Sequence, residues 1–128
     1  MDRFSLEIPP SPEYVGTARI FVGAVARSRG AEEDEVHDLK LAISELCAAG
    51  AREGGGPVRI ALAAADASLS VEVEAARSGM EPLPDEATPD SFARSVGLDV
   101  VRLLFPDAEE EEAAEGRVRV RFRFPRQE

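Results

Sequence analysis

Apolar and polar residues alternate in several short segments of the chain, and this pattern predicts strands with one buried face. The first segment runs from Arg3 to Ile8 and ends at Pro9-Pro10, as expected of an edge strand. Two further segments flank the turn Ala65-Asp66-Ala67 and are expected to form a hairpin. Their apolar members are Val58, Ile60 and Leu62 before the turn and Leu69, Val71 and Val73 after it.

The final strand has the most regular pattern in the chain. Its buried face is expected to contain Val118, Val120, Phe122 and Phe124, and its solvated face Arg117, Arg119, Arg121 and Arg123. The acidic run Glu109 to Glu112 precedes a turn near Gly116, so an antiparallel hairpin would set carboxylates opposite guanidiniums. Each exposed pair of this kind contributes only about 0.2 to 1 kcal/mol.

Apolar residues at helical spacing predict three helices between these strands. The first covers residues 12–28, where Ser11 and Pro12 favour a helix start and Gly30 a left-handed stop. The second begins in the acidic turn Glu32 to Glu35 and ends before the glycines at 54–56. The third includes Phe92 to Leu104 and is broken by Pro106. Residues 77–90 show no periodicity and are expected to form a long loop.

The order of these elements defines the expected fold class. A strand, two helices, two strands, a helix and two strands predict an α+β protein built as a two-layer sandwich. We expect a mixed five-stranded sheet with three helices on one face, and a single domain spanning residues 1–128.

Charge and composition exclude several classes of function. Fifteen basic and 25 acidic residues give a net charge of −10, which disfavours nucleic acids and anionic membranes as partners. The chain has no apolar run long enough for a membrane span, so we expect a soluble, cytoplasmic protein. One cysteine, Cys47, and one histidine, His37, do not suffice for a four-ligand zinc site. We expect no metal site from them, a buried Cys47 and an exposed His37.

Three stretches carry a resemblance to a known family: Ser11-Pro12-Glu13, Ala18 to Val22, and Asp38 to Cys47. With Gly97-Leu98 before the third helix, the chain resembles the bacterial anti-sigma factor serine kinases over nearly its whole length. These belong to the histidine kinase-like and gyrase-like (GHKL) ATPases. The resemblance implies a Bergerat-type ATPase fold, a sigma factor or an anti-sigma antagonist as partner, a homodimer, and ATP with Mg²⁺ as cofactors of an active member.

The magnesium motif of the family is only half present. The family has a glutamate that serves as general base and, four residues later, an asparagine that helps to hold Mg²⁺ on the same helical face. Glu45 matches the glutamate, but position 49 is Ala49, which has no oxygen for a metal. Without the cation, a carboxylate about 4 Å from a triphosphate is repelled by about 1 to 4 kcal/mol.

The purine-binding motif is also altered. The family has an aspartate that accepts a hydrogen bond from adenine, followed by two spaced glycines, whereas the matching residues are Ala75-Ala76-Arg77-Ser78-Gly79. Ala75 removes the acceptor, Arg77 replaces the first glycine, and only Gly79 remains. Glu74 is not expected to substitute, because shifting the strand by one residue would turn Val71 and Val73 out of the core.

The glycine-rich phosphate loop of the family, which precedes the third helix, has lost most of its glycines. Gly97 and Leu98 remain, Ser95 replaces an earlier glycine, and Arg94 is the nearby cation. A phosphate could still meet the backbone amides of this helix start. Glycines such as Gly79 and Gly97 are more often turn and helix-cap residues than phosphate contacts.

These changes favour a regulatory binding protein that has kept an ATPase fold and lost efficient nucleotide binding, with no assigned cofactor. The alternative is an active ATP- and Mg²⁺-dependent serine kinase that phosphorylates an antagonist, with Glu45 as general base. A stand-alone ATPase is a third hypothesis. Glu45 is also consistent with an ordinary solvated helix residue.

Overall fold

The structure, a computed structural model, describes residues 2–51, 56–76, 98–113 and 116–127. The strands are β1 (Arg3–Ile8), β2 (Val58–Ala65), β3 (Ser68–Ala76), β4 (Glu109–Glu112) and β5 (Arg117–Phe124). The helices are α1 (Val15–Ser28), α2 (Glu33–Ala51) and α3, which is helical over residues 98–104. A single turn of 3₁₀ helix, Pro12–Tyr14, precedes α1. The predicted loop at 77–90 lies outside the described residues.

The five strands form one sheet in the order β1-β2-β3-β5-β4, and the predicted edge position of β1 is confirmed. All of its pairings are antiparallel, so the expectation of a mixed sheet was wrong, although the α+β class and the strand number are confirmed. Two of the pairings are hairpins, which are antiparallel by construction. Between β1 and β2 the chain passes through two helices rather than one, so it returns in the opposite direction.

The helices cover one face of the sheet, and the core lies between the two layers. The apolar residues predicted from alternation point into this core in β2, β3 and β5. The largest fully buried side chains include Phe105, Phe122, Leu39, Ile43, Leu46 and Ile60. Phe105 follows α3 and stacks on Phe122 of β5, with the ring centroids 4.4 Å apart. This stacking fixes the end of α3 above the sheet.

Local signals account for most element boundaries. Gly30 has φ +85° and ends α1, as predicted, because glycine adopts the left-handed conformation without a Cβ clash. At the start of α2, the backbone N–H of Glu32 donates to the Glu35 carboxylate at 2.9 Å. This bond satisfies an N–H that the helix itself leaves unpaired. Among the described residues, no helix is long and apolar enough to cross a membrane.

The face of the sheet away from the helices, here called the outer face, carries a row of alternating charges. Glu7, Arg59, Glu74, Arg119 and Glu111 lie next to one another across all five strands. The successive N···O distances along this row are 3.5, 3.6, 3.3 and 3.1 Å. The predicted pairing of β4 carboxylates with β5 guanidiniums is therefore confirmed, and it extends over the whole sheet.

Candidate functional site

The inner face of α2 holds the residues that match the magnesium motif. Glu45 is half-buried, and Ala49, one turn later on the same side of the helix, is 4% exposed. Glu45 has no hydrogen bond or ion pair with the part of the chain that the structure describes. The single carboxylate is thus retained without a neighbouring oxygen ligand at position 49.

The end of β3 holds the residues that match the purine motif. Ala75 is 0% exposed and Ala76 is 8% exposed. Ala75 is paired with Val118 of β5 and belongs to the apolar core between sheet and helices. At the position where the family has an acceptor for adenine, this chain has a methyl group enclosed by its own atoms.

Glu74 points to the opposite face of the sheet, which confirms that it does not substitute for the missing acceptor. Its carboxylate accepts hydrogen bonds from Arg117 Nε at 2.9 Å and from Arg119 Nη2 at 3.3 Å. Burial alone would raise the pKa of Glu74, but the hydrogen bonds and charges of the two arginines outweigh it and lower this pKa below its ordinary value. Glu74 is therefore a structural ion-pair residue.

Of the residues predicted to contact the purine or the phosphates, which are Gly79, Arg94, Gly97 and Leu98, only Leu98 lies in the described part of the chain. It is partly buried and packs against the core at the start of the described portion of α3. Gly79, Arg94 and Gly97 lie outside the described residues, so their predicted contacts stay predictions.

Two of the family's positions for Mg²⁺ and ATP lie in the described part of the chain, and neither side chain there has an oxygen to offer. The position of the metal ligand on α2 is occupied by the buried Ala49, and the position of the adenine acceptor on β3 is occupied by the buried Ala75. Within residues 2–51, 56–76, 98–113 and 116–127, no group of three or more His, Cys, Asp or Glu side chains is arranged to hold a metal ion. Among the motif residues that the structure describes, Glu45 is the one polar group that matches the family, and a carboxylate on its own would repel a triphosphate.

Cys47 and His37 have the surroundings of structural residues rather than of reactive ones. Cys47 is fully buried on α2, and this burial raises the pKa of its thiol to about 12. It is therefore a protonated, unreactive thiol at neutral pH, as the sequence predicted. His37 is exposed on the same helix, also as predicted.

One cluster of charged residues on the outer face, formed by Arg117 and Glu74, was not predicted from the sequence. Arg117 is only 16% exposed, and its guanidinium donates both to Glu74 and to the backbone carbonyl of Pro57. Glu72 and Glu74 alternate with Val71 and Val73, so the sequence did predict that the two glutamates lie on the face away from the core. That they meet the arginines of β5 depends on β3 and β5 being neighbours, which alternation does not reveal.

The lowered pKa of Glu74 predicts a specific dependence of stability on pH. A carboxyl group whose pKa is lower in the folded state stabilises the fold above its unfolded pKa, and this contribution disappears as pH falls through the folded pKa. Glu74→Gln is expected to reduce the free energy of unfolding by about 1 to 2 kcal/mol at neutral pH. The difference from the unmodified chain should shrink in strong acid. Urea unfolding at pH 7 and pH 3 measures both values.

Glu33→Gln is the matched control for this experiment. Glu33 also pairs with an arginine, Arg27, at 3.0 Å, but its side chain is 71% exposed. Its replacement should leave the free energy of unfolding almost unchanged, because solvent screens exposed pairs. Equal losses in the two variants at pH 7 would contradict the role given to burial at Glu74.

The fold and the position of the site define a class of protein. A model of the histidine kinase-like ATPase domain matches residues 8–124, so the chain belongs to this family. The match covers every strand and helix after β1, including α2 with Glu45 and the end of β3 with Ala75.

The relatives agree with the resemblance to anti-sigma factor serine kinases. "Serine-protein kinase RsbW" of Bacillus velezensis is 43% identical over 47 residues, which are 37% of this chain and 29% of the relative. RsbW of Bacillus licheniformis is 26% identical over 121 residues, with 83% of this chain and 76% of the relative covered. RsbW of Bacillus cereus is 28% identical over 127 residues, with coverage of 84% and 78%. The first match spans less than a third of its relative.

A solved structure supports the fold independently. The RsbU and RsbW domains of Rv1364c from Mycobacterium tuberculosis align with a TM-score of 0.69 over 96% of this chain and 32% of that one. The sequence identity is 17%, so this likeness concerns the fold alone.

Proposed function

We propose that this chain is an anti-sigma-factor-like regulatory protein that binds a sigma factor or an anti-sigma antagonist without efficient use of ATP. The observation that carries the proposal is the burial of two methyl groups, Ala49 at 4% and Ala75 at 0% exposure. They occupy the two positions at which the family binds the metal and the purine. The fold that relatives named as serine-protein kinases share is retained around them.

Loss of these two groups weakens nucleotide binding in two separate ways. Because position 49 is Ala49, one group fewer is available to hold a cation between Glu45 and the triphosphate. The negative charges of Glu45 and the triphosphate then repel each other, which weakens binding. Ala75 leaves the adenine amino group without its carboxylate acceptor, and a missing hydrogen bond to a charged group costs about 1.5 to 3 kcal/mol. Together they reduce affinity by several factors of ten.

The net charge of −10 supports the proposed kind of partner. On the outer face the carboxylates of Glu7, Glu74 and Glu111 are already paired with arginines. Excess negative charge therefore lies elsewhere, for example in the first turn of α2. A partner with a basic surface would associate faster at low ionic strength.

One observation favours an alternative function, an active serine kinase. Glu45 occupies the position of the general base and is half-buried rather than enclosed. In this alternative, water and side chains outside the matched motifs complete the metal site, and an antagonist is phosphorylated on serine.

A binding and phosphorylation assay separates the two functions. Purified sigma factors and single-domain antagonists from the same genome are titrated onto the immobilised chain, with and without Mg-ATP. We expect one of them to bind with the same Kd in both conditions, and mass spectrometry to find no phosphoserine on it. Serine phosphorylation that Glu45→Ala abolishes would establish the kinase instead. Failure of all sigma factors and antagonists to bind would reject both functions.

A further inference from the structure

Two arginines of the outer face differ from the rest because their side chains have no acidic partner. Arg3 of β1 and Arg123 of β5 form no side-chain hydrogen bond or ion pair with the part of the chain that the structure describes. Both residues are exposed. Ion pairs with glutamates hold the other arginines of the strands, which are Arg59, Arg117, Arg119 and Arg121. Two unmatched guanidiniums therefore remain on this face.

These two arginines lie at the ends of one row across the sheet. Arg3 is paired with Ala63 of β2, and Arg123 is paired with Ser70 of β3. Ala63 and Ser70 are themselves paired, which completes the row. Neighbouring strands are about 4.8 Å apart, so the Cα atoms of the two arginines are separated by about 14 Å. The two residues between them have short side chains, which leave space above the sheet for the guanidiniums to approach each other.

The space above this row is a depression in the outer face, here called the trough. A cavity of about 450 Å³ is lined by Arg3 and Ser70, and one of about 910 Å³ by Ser70 and Arg123. Because Ser70 belongs to both linings, the two cavities adjoin in the middle of the row. The first cavity is also lined by Ala61 and Ala63, whose methyl groups make part of its floor apolar. The trough therefore has a guanidinium at each end, with methyl groups and one hydroxyl between them.

Three carboxylates border the trough, but none of them forms an ion pair with either of its guanidiniums. Glu72 is held instead by two other arginines of β5, each at 3.9 Å. Asp107 Oδ2 accepts a hydrogen bond from the backbone N–H of Arg123 at 3.0 Å, and its Oδ1 is buried. Glu109 lies opposite Arg121 in the register of β4 and β5. An anion in the trough would thus neutralise two cations that the described residues leave unmatched.

We propose that the trough binds a short dicarboxylate, a molecule with two carboxylates joined by a few carbon atoms. A guanidinium binds a carboxylate through two parallel hydrogen bonds, and such charged pairs are stronger than neutral hydrogen bonds. A carboxylate at each end of the ligand matches two separated cations, and methylene groups between them match the methyl groups of Ala61 and Ala63. The trough and α2 lie on opposite faces of the sheet, so this site is independent of nucleotide binding and of the proposed function.

Titration with succinate, glutarate and adipate tests the proposed site. Binding is followed in the ¹H–¹⁵N NMR spectrum of the full chain, at constant ionic strength because salt screens exposed charges. We expect one of the three to bind at least about tenfold more tightly than butyrate, which has a single carboxylate. The largest changes in chemical shift are expected at the backbone amides of Ala63, Ser70 and Arg123, which lie in the row beneath the ligand.

Variants assign the binding to the two arginines. Arg3→Gln and Arg123→Gln each remove one cation and should each weaken dicarboxylate binding about tenfold, to the affinity of butyrate. Arg102→Gln is the matched control, because it removes the same charge from an exposed position on α3 and should leave the Kd unchanged. The NMR spectrum of each variant verifies that it folds. Dicarboxylates that bind no better than butyrate, equal losses in all three variants, or tighter binding of inorganic phosphate than of any dicarboxylate would each overturn the proposal.

Discussion

Ala75→Asp is expected to destabilise the fold by about 3 kcal/mol or more. The methyl group of Ala75 is 0% exposed in the hydrophobic core cluster, and Ala75 is paired with Val118 of β5. A carboxylate at this position loses its hydration without gaining a partner, so it must be protonated or force the core apart. Urea unfolding at neutral pH measures the loss.

This substitution restores the residue type of the family, which makes it informative about the site. Ala63→Asp is the matched control, because it makes the same change on the neighbouring strand β2 but on the outer face, opposite Arg3. The control should change the free energy of unfolding by no more than about 0.5 kcal/mol. A stable Ala75→Asp variant would mean that the end of β3 opens onto a cleft and that the enclosure of Ala75 is not as described.

Phe105→Ala is expected to cost about 3 to 5 kcal/mol. Phe105 is 1% exposed, stacks on Phe122 and also lies 6.4 Å from the ring centroid of Phe124. Its removal leaves a cavity between α3 and β5 and takes away the aromatic contact that holds the end of α3. Thermal and urea unfolding with a common two-state analysis give the loss.

Leu103→Ala is the control for this truncation. Leu103 lies two residues earlier and is 74% exposed, so its loss removes little buried apolar area. It should change the free energy of unfolding by less than about 0.5 kcal/mol. If the two truncations have similar effects, the packing of α3 on β5 is not as described.

Much of the fold was predictable because the hydrophobic periodicity of each segment agrees with the glycine, proline and turn residues that end it. Strict alternation from Arg117 to Phe124 defined both faces of β5, and the turn at Asp66 defined the β2–β3 hairpin. Gly30, which follows the first helix, defined where that helix ends. For the site, the spacing of Glu45 and Ala49 sufficed to predict that they share a helical face.

Two features were not predictable from local pattern. The all-antiparallel sheet depends on which strands become neighbours, and the pattern of one strand contains no information about its partner. The same limit applies to Glu74, whose contacts with Arg117 and Arg119 require β3 beside β5. The enclosure of Ala75 likewise depends on packing of the finished core, since sequence specifies only that a carboxylate is missing there.

The central claim is that the scaffold is retained while the groups that hold metal and purine are lost. The melting temperature of the chain, measured with increasing Mg-ATP, tests it most directly, with RsbW of Bacillus licheniformis as the comparison protein. A nucleotide at about 100 times its Kd adds about 2.7 kcal/mol of stability, a shift of several degrees. We predict an unchanged melting temperature up to millimolar Mg-ATP; a concentration-dependent rise of several degrees would contradict the claim.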